Sequence, residues 1–228
     1  MRHRRGVSYV DEAYKYVKSL IFDGRVKPGG RIEIEVVMSH LGVSRQPVRD
    51  AINRLAMAGF VTVIPQVGCV VPRIDPGDTS DFFAMFGVFE GRMAAFAAER
   101  RTQAQLEEAA AISHRIEGLV NGQVTSEVER RFREDNRELH AAIHAMAASP
   151  TVERIAELLL DRFDYYIATS FGILDYHFRP EPAHREHEDV MRAIVAGDPD
   201  RARAAMERHI EHAVRRILKT VPADLATR

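Results

Sequence analysis

The stretch Leu41-Gly42-Val43-Ser44-Arg45-Gln46-Pro47-Val48-Arg49-Asp50-Ala51-Ile52-Asn53-Arg54-Leu55 decides how this chain is read. It predicts a tight turn followed by a helix with one dry face and one basic face. Ser44 is placed to cap that helix, because its hydroxyl can accept a hydrogen bond from an unpaired N–H of the first turn. Pro47 still falls within the first turn, where its missing N–H costs nothing. Val48, Ala51, Ile52 and Leu55 recur at helical spacing and predict a core-facing stripe. Arg45, Gln46, Arg49 and Asn53 are left on the other side. Arginine can grip a guanine edge or a phosphate with two parallel bonds, and an amide can read adenine. Such a helix, following a short Gly-containing turn, suits the major groove of DNA. An ordinary amphipathic helix with a solvated charged face would show the same pattern, so the flanking residues must decide.

Upstream, Val10, Tyr14, Val17, Leu20 and Ile21 share one face of a helix over 9–23, ended by Gly24, and Lys27-Pro28-Gly29-Gly30 makes a turn. A second short helix over 33–40 carries Ile34, Val37 and Met38. Downstream, the helix that begins after Ser44 stops near Gly59. Residues 60–64 and 69–71 then read as two short strands joined at a tip by Pro65-Gln66-Val67-Gly68. Three helices followed by a hairpin make a winged helix-turn-helix over residues 1–74, preceded by a flexible basic arm at 1–8.

Charge follows the same division. Residues 1–76 hold twelve Lys/Arg and seven Asp/Glu, and the remainder holds twenty and twenty-six. A basic front half on an acidic back half suggests that the front half alone meets a polyanion such as double-stranded DNA. With 228 residues, 46% of them hydrophobic, the chain can form a sizeable core and two domains. It has no apolar run long enough for a membrane and no signal-peptide pattern, so no membrane partner is expected. Cys69 is the single cysteine, which fits a reducing cytoplasm.

The front half resembles the GntR bacterial transcription regulators. The resemblance rests on Gly24, Pro28-Gly29, Arg31-Ile32, Leu41-Gly42-Val43-Ser44-Arg45, Pro47-Val48-Arg49, Leu55, Gly59, Pro65 and Gly68. It implies operator contacts from Arg31, Ser44, Arg45, Gln46, Pro47 and Arg49, with the Gly68 wing tip near the minor groove. Two departures weaken the implied phosphate contacts: Val67 stands where a basic residue usually precedes the wing glycine, and Glu35 stands where relatives often carry Arg.

Asp75-Pro76-Gly77-Asp78 reads as a linker, and residues 79–222 read as entirely helical, so the fold class is mainly α. Helices are expected near 79–100, 103–120, 126–148, 151–172, 181–197 and 199–219. This part resembles the FCD effector-binding domain of FadR-type GntR regulators, an antiparallel bundle. The matching residues are Phe89-Glu90, Met93 to Glu99, His140 before Pro150, Glu186-His187, Ala193-Ile194, Gly197-Asp198, Ala205 and His209-Ile210. The family forms a homodimer through this domain.

Three histidines stand out by the face they share. His140 lies at the edge of the stripe Phe132, Leu139, Ile143, Met146, with Asn136 one turn before it. His187 lies with Val190, Met191 and Ile194, and His209 with Ala202, Ala205 and Met206. Three inward imidazoles in a small bundle suit a divalent ion such as zinc, nickel or manganese. Alternatively, each His simply bonds a polar neighbour. By resemblance, Asn136, His140, His187 and His209 occupy the metal-ligand positions of many FCD domains, with Asn136 in place of the usual Asp. A neutral amide oxygen is the weaker ligand. His144, His184 and His212 are expected at the surface or behind the ligands.

Arg162 falls among Ile155, Leu158, Leu159 and Tyr166, in the middle of the apolar stripe that spacing assigns to its helix. A buried guanidinium needs an anion. That anion is either a carboxylate of the bundle or a small carboxylate effector held between Arg162, Tyr166 and the metal. Phe86 replaces an Arg common in the family four residues before Glu90, which alters the pocket. Three functions fit these residues: a ligand-responsive regulator, a metal-dependent hydrolase using the histidines, and a plain dimerisation bundle. The regulator alone uses both halves. Four protein ligands would also leave little room for the activated water that a catalytic zinc keeps.

Overall fold

The computed structural model describes residues 8–73, 75–123, 125–170 and 180–218. The basic arm read at 1–8 lies outside them apart from Ser8, as does the 219–222 end of the helical domain. The chain divides into two compact units, Met1–Pro76 with Asp164–Leu174, and Gly77–Phe163 with Asp175–Arg228.

The first unit opens with α1, Tyr9–Phe22, whose N-terminus is capped by the Ser8 side chain accepting from the Val10 N–H. Its apolar stripe buries Ala13, Val17, Leu20 and Ile21. A two-residue strand, β1 (Arg31–Ile32), leads into α2 (Ile34–Leu41). Gly42 ends α2 at φ +65°, a left-handed conformation that glycine adopts without a Cβ penalty. That turn swings the chain into α3, Arg45–Met57, which packs on α1 and α2. Val48, Ala51, Ile52 and Leu55 are at most 3% exposed, as their spacing requires. Ser44 does hold the N-cap position with extended backbone, but its hydroxyl makes no capping bond and stays exposed.

The wing is β2 (Thr62–Ile64) and β3 (Gly68–Val70), antiparallel, with Val63 opposite Cys69. Phe60 and Val61, expected within the first wing strand, precede it and are buried in the core. The sheet has a third member, because β1 pairs antiparallel with β3, Arg31 opposite Val70 and Ile32 opposite Cys69. A two-residue strand is too short to show alternation, so periodicity does not reveal it. Residues 164–170, the last turns of α7 (Pro150–Ser170), belong to this unit. There Tyr165 is 1% exposed, with ring centroids 5.2 Å from Phe60 and 6.2 Å from Phe22.

The helical unit contains α4 (Pro76–Arg100), α5 (Gln103–Val120), α6 (Ser126–Met146), the front of α7, α8 (Pro180–Ala196) and α9 (Pro199–Leu218). Pro76 opens α4, so the stretch expected as a linker through Asp78 is already helical. Proline tolerates a first helical position, where its missing N–H is not needed. Thr102 and Gln105 form a reciprocal capping box on α5, and Thr125 caps α6. Helices α5 and α6 pack together, α8 packs on α9, and α5 also meets α8. Ala94, Ala97 and Ala98 of α4 join Ile112, Ile116, Leu139, Ile143, Met146, Ile194 and Met206 in one core. No described helix is long and apolar enough to cross a membrane.

One stripe differs from the sequence reading. On α7 the buried residues are Ala156, Leu160, Asp161, Tyr165 and Ala168, whereas Ile155 and Leu158 are 47% and 58% exposed. Apolar residues surround this helix on several sides, so spacing alone picks the wrong face.

Candidate metal centre and nucleic-acid face

His140 on α6, His187 on α8 and His209 on α9 come together as expected, 3%, 0% and 3% exposed. One ring nitrogen of each lies within 4.8 Å of the others. His140 Nε2 and His187 Nε2 are 3.3 Å apart, and the His187 and His209 rings are 4.1 Å apart by centroid. Two nitrogens bound at ordinary zinc distances in a tetrahedron stand about 3.3 Å apart, so this pair is spaced as metal ligands are.

Two carboxylates orient the cluster. Glu90 of α4 is fully buried, its Oε2 2.7 Å from His140 Nδ1 and its Oε1 2.8 Å from His144 Nε2. Burial pushes the Glu90 carboxyl up, but the two imidazoles outweigh it and hold the group down to about 2. Glu90 is therefore ionised, and both ring nitrogens facing it carry hydrogen and donate. In the neutral form of His140 this tautomer leaves the lone pair on Nε2, on the cluster side. Glu186 does the same for His209: its Oε2 is 2.9 Å from His209 Nδ1, while Oε1 takes His212 Nδ1 at 3.0 Å. Arg216 donates to both Glu186 oxygens at 2.7 and 2.8 Å. Burial raises the Glu186 carboxyl, and the bonds from His209 and Arg216 bring it to about 2. Carboxylates that fix the tautomer of a histidine in this way are the usual support of a metal ligand.

Burial drives His187 well below its ordinary value, assisted by the neighbouring His209 and His140. Burial also lowers His209, against the pull of Glu186. Both rings are thus kept neutral, the form that binds a metal. His187 departs from the pattern in one respect, because its buried Nδ1 has no hydrogen-bond partner among the described residues. Asn136 is half-buried one turn before His140 and makes no side-chain hydrogen bond among those residues. Asp135 is occupied by Arg115 at 3.0 Å.

These groups make the metal-free chain acid-labile. Glu90 and Glu186 are depressed, so the stability they contribute is present above their ordinary 4.5 and is lost as pH falls toward 2. His187 and His209 are also depressed, so below their ordinary 6.5 the unfolded chain takes up protons that the folded chain refuses. Both effects have the same sign. The urea midpoint of chelator-treated protein is expected to fall steadily from about pH 7 to about pH 4. A midpoint that stays level or rises over that range would contradict the arrangement of buried charges.

Sequence reasoning missed the role of one member of this network, Glu90. Glu90 is the acidic residue inside the buried α4 stripe of Phe83, Phe86, Met93, Ala94 and Ala97, and its position in that stripe was the available signal. Of the two places expected for His144 and His184, the surface is excluded, since they are 2% and 7% exposed, and His144 stands behind the ligand His140. His144 sits one turn beyond His140 and therefore reaches the same carboxylate.

Arg162 and Tyr166 stand in surroundings other than those expected of them. Arg162 is half-buried on a side of α7 that carries the exposed Ile155 and Leu158, so the premise of a guanidinium within a buried stripe fails. Tyr166 packs in the first unit, its ring 5.9 Å from Tyr165. The buried charge on α7 is Asp161, which Arg137 holds. Phe86 stacks at 5.6 Å on Phe82 and 5.0 Å on Phe163, making an aromatic wall.

The nucleic-acid face is built on α3. Arg45, Gln46 and Arg49 are exposed, while Pro47 is half-buried in the first turn. Glu35 of α2 accepts from Arg45 Nη2 at 2.6 Å, and Asp50 accepts from Gln46 at 2.9 Å. Arg49 forms no ion pair among the described residues. On the wing, Gly68 has φ +114°, and a Cβ there would stand 3.2 Å from Arg31 Nη2. Arg31 and Gly68 thus lie side by side. The wing also exposes Val63, Ile64 and Val67.

Comparison with known proteins agrees with both units. Residues 9–71 match the bacterial regulatory proteins of the gntR family, and residues 81–212 match the FCD domain. The chain is 27% identical over 208 residues to the HTH-type transcriptional repressor RspR of Escherichia coli, covering 88% of this chain and 85% of that one. It is 25% identical over 201 residues to an HTH-type transcriptional regulator of Streptomyces ambofaciens, covering 87% and 80%. Among solved structures, E. coli McbR/YncC shares the fold with a TM-score of 0.77 at 20% identity, over 94% of this chain and 99% of that one. These relatives are regulators, and the hydrolase reading has no counterpart among them. The chain belongs to the GntR family of bacterial regulators that carry an FCD domain, and it is a DNA-binding transcriptional regulator rather than an enzyme.

Proposed function

We propose that this regulator is a repressor whose operator affinity is set by a small organic acid bound together with a divalent metal at His140, His187 and His209. The observation that carries this reading is the convergence of three buried imidazoles, two of them oriented by buried or half-buried carboxylates. Asn136 stands as a fourth, weaker ligand. A bound ion would supply a Lewis-acid anchor for a carboxylate or hydroxyl of the effector. This chain's residues orient the imidazoles, and the phenyl rings of Phe82, Phe86 and Phe163 provide an apolar wall in the same unit. Repression as the sign follows RspR, which is a repressor.

The chain would act as a homodimer, placing two α3 helices in successive major grooves of a near-palindromic operator. Met85 and Val88 on α4 and Ile155 and Leu158 on α7 are large apolar residues, at least 47% exposed, of the kind a second copy would cover. An effector can shift DNA affinity only by its difference in affinity for the two states of the dimer.

The deciding experiment is the metal content of tag-free protein beside His187→Ala. About one divalent ion per chain in the wild type, lost in the variant, is the expected result. Absence of metal from both proteins, even after adding zinc, nickel and manganese, would remove the metal from the mechanism and leave the histidines as hydrogen-bonding residues. Titration of operator DNA with and without chelating carboxylates then tests release.

A further inference from the structure

Across the turn between α2 and α3 an acid and a base meet in the open. Glu35 lies in the first turn of α2, and Arg45 is the first residue of α3. Glu35 Oε1 accepts from Arg45 Nη2 at 2.6 Å, with the two side chains 65% and 57% exposed. Among the described residues Arg45 has no other hydrogen-bond partner. Glu35 is ionised, because the backbone N–H of its own residue at the start of α2, and then Arg45, hold its carboxyl below the ordinary 4.5.

An ion pair this exposed adds little to the fold. On a DNA-binding face its carboxylate also repels phosphates, and what offsets that repulsion is a donor on a base edge. In the major groove the donors are cytosine N4 and adenine N6. The order of groups along the edge decides between them. An arginine grips with two parallel donors and so needs two neighbouring acceptors. A G·C pair presents guanine N7 and O6, two acceptors, followed by the N4 amino donor of cytosine. An A·T pair presents acceptor, donor, acceptor and then a methyl group. Only G·C therefore matches a guanidinium with a carboxylate beside it. The spacing agrees as well. Guanine O6 and cytosine N4 are hydrogen-bonded to each other, about 2.9 Å apart, and Arg45 Nη2 and Glu35 Oε1 stand 2.6 Å apart.

We propose that Glu35 and Arg45 together read one G·C pair of the operator. Arg45 bonds guanine N7 and O6, and Glu35, released from Arg45, accepts from the N4 amino group of the paired cytosine. Glu35 is thereby a specificity-determining residue. It opposes an A·T pair, whose thymine O4 would face the carboxylate, and it opposes a phosphate, which offers acceptors alone. The assignment rests on α3 lying in the major groove.

The test begins by selecting sites from randomised double-stranded DNA with the full chain, as wild type, Arg45→Ala and Arg49→Ala. The position whose base preference is lost in Arg45→Ala is expected to be G·C. Wild type and Glu35→Ala are then titrated with the selected site and with the same site carrying 2-pyrimidinone in place of that cytosine. This base still pairs with guanine but lacks the N4 amino group. The wild type is expected to lose about tenfold or more in affinity, the usual worth of a hydrogen bond to a charged group, and Glu35→Ala to lose nothing further. Glu35→Ala is an exposed change of the kind that leaves folding intact. Equal losses in the two proteins would overturn the proposal, as would an A·T pair at the Arg45-dependent position or no such position at all. In each of these cases a weakened Arg49→Ala keeps α3 in the groove. Wild-type affinity of both Arg45→Ala and Arg49→Ala for the selected site would instead remove α3 from the DNA, and the proposal with it.

Discussion

Glu90→Ala is expected to lower the stability of the protein by about 3–5 kcal/mol, the usual cost of removing one partner from a buried charged pair. Glu90 is fully buried and takes a hydrogen bond from His140 on one oxygen and from His144 on the other. Alanine would leave two buried imidazole N–H groups without an acceptor and a void among α4 and α6. Glu90→Gln should cost less, because its amide oxygen can still accept from one ring. Urea unfolding of metal-free protein reads both values. The same substitutions should weaken metal binding by about ten- to hundredfold where a metal binds, since His140 loses the group that fixes its tautomer. A Glu90→Ala protein with a wild-type unfolding midpoint would mean that Glu90 does not hold these rings.

Arg49→Ala is expected to weaken operator binding by roughly 1–3 kcal/mol, about ten- to hundredfold. Arg49 is exposed on the polar side of α3 and has no ion pair among the described residues, so its guanidinium reaches DNA with nothing to release. Arg45 differs. It must exchange Glu35, 2.6 Å away, for a base or phosphate, and Arg45→Ala would leave that carboxylate facing the DNA. Fluorescence anisotropy with operator DNA at several salt concentrations distinguishes the two kinds of interaction. If Arg49 binds a phosphate, the variant's salt slope falls by about one; if it reads a base, the variant discriminates less between sequences. Folding should be unaffected, since a surface change of this kind usually stays within about 0.5 kcal/mol. Wild-type affinity in Arg49→Ala would displace α3 from the DNA.

The winged helix was legible because its signals are local. The stripe Val48, Ala51, Ile52 and Leu55 faces the core as its spacing demands, and Gly42 takes the left-handed turn that only a residue without Cβ adopts freely. The helices of the second unit were legible for the same reason, with Gly197 closing α8 and the prolines at 150 and 199 opening α7 and α9. The histidine triad was half legible. Each imidazole could be placed on an inward face by periodicity, but that three faces on α6, α8 and α9 converge is a fact of packing.

The sequence by itself determined the helices of both domains, the basic face of α3 and the three inward histidines, because each depends on residues within a turn or two of one another. Tertiary structure alone decided the rest. It paired β1 with β3 through a two-residue match that carries no period. It chose Asp161 rather than Arg162 for the buried charge on α7, whose apolar residues point to several sides. It brought Glu90 between His140 and His144, fifty or more residues away in sequence. Spacing along one helix says which side chains share a face, but the partner of a buried charge is chosen by whichever element packs against that face.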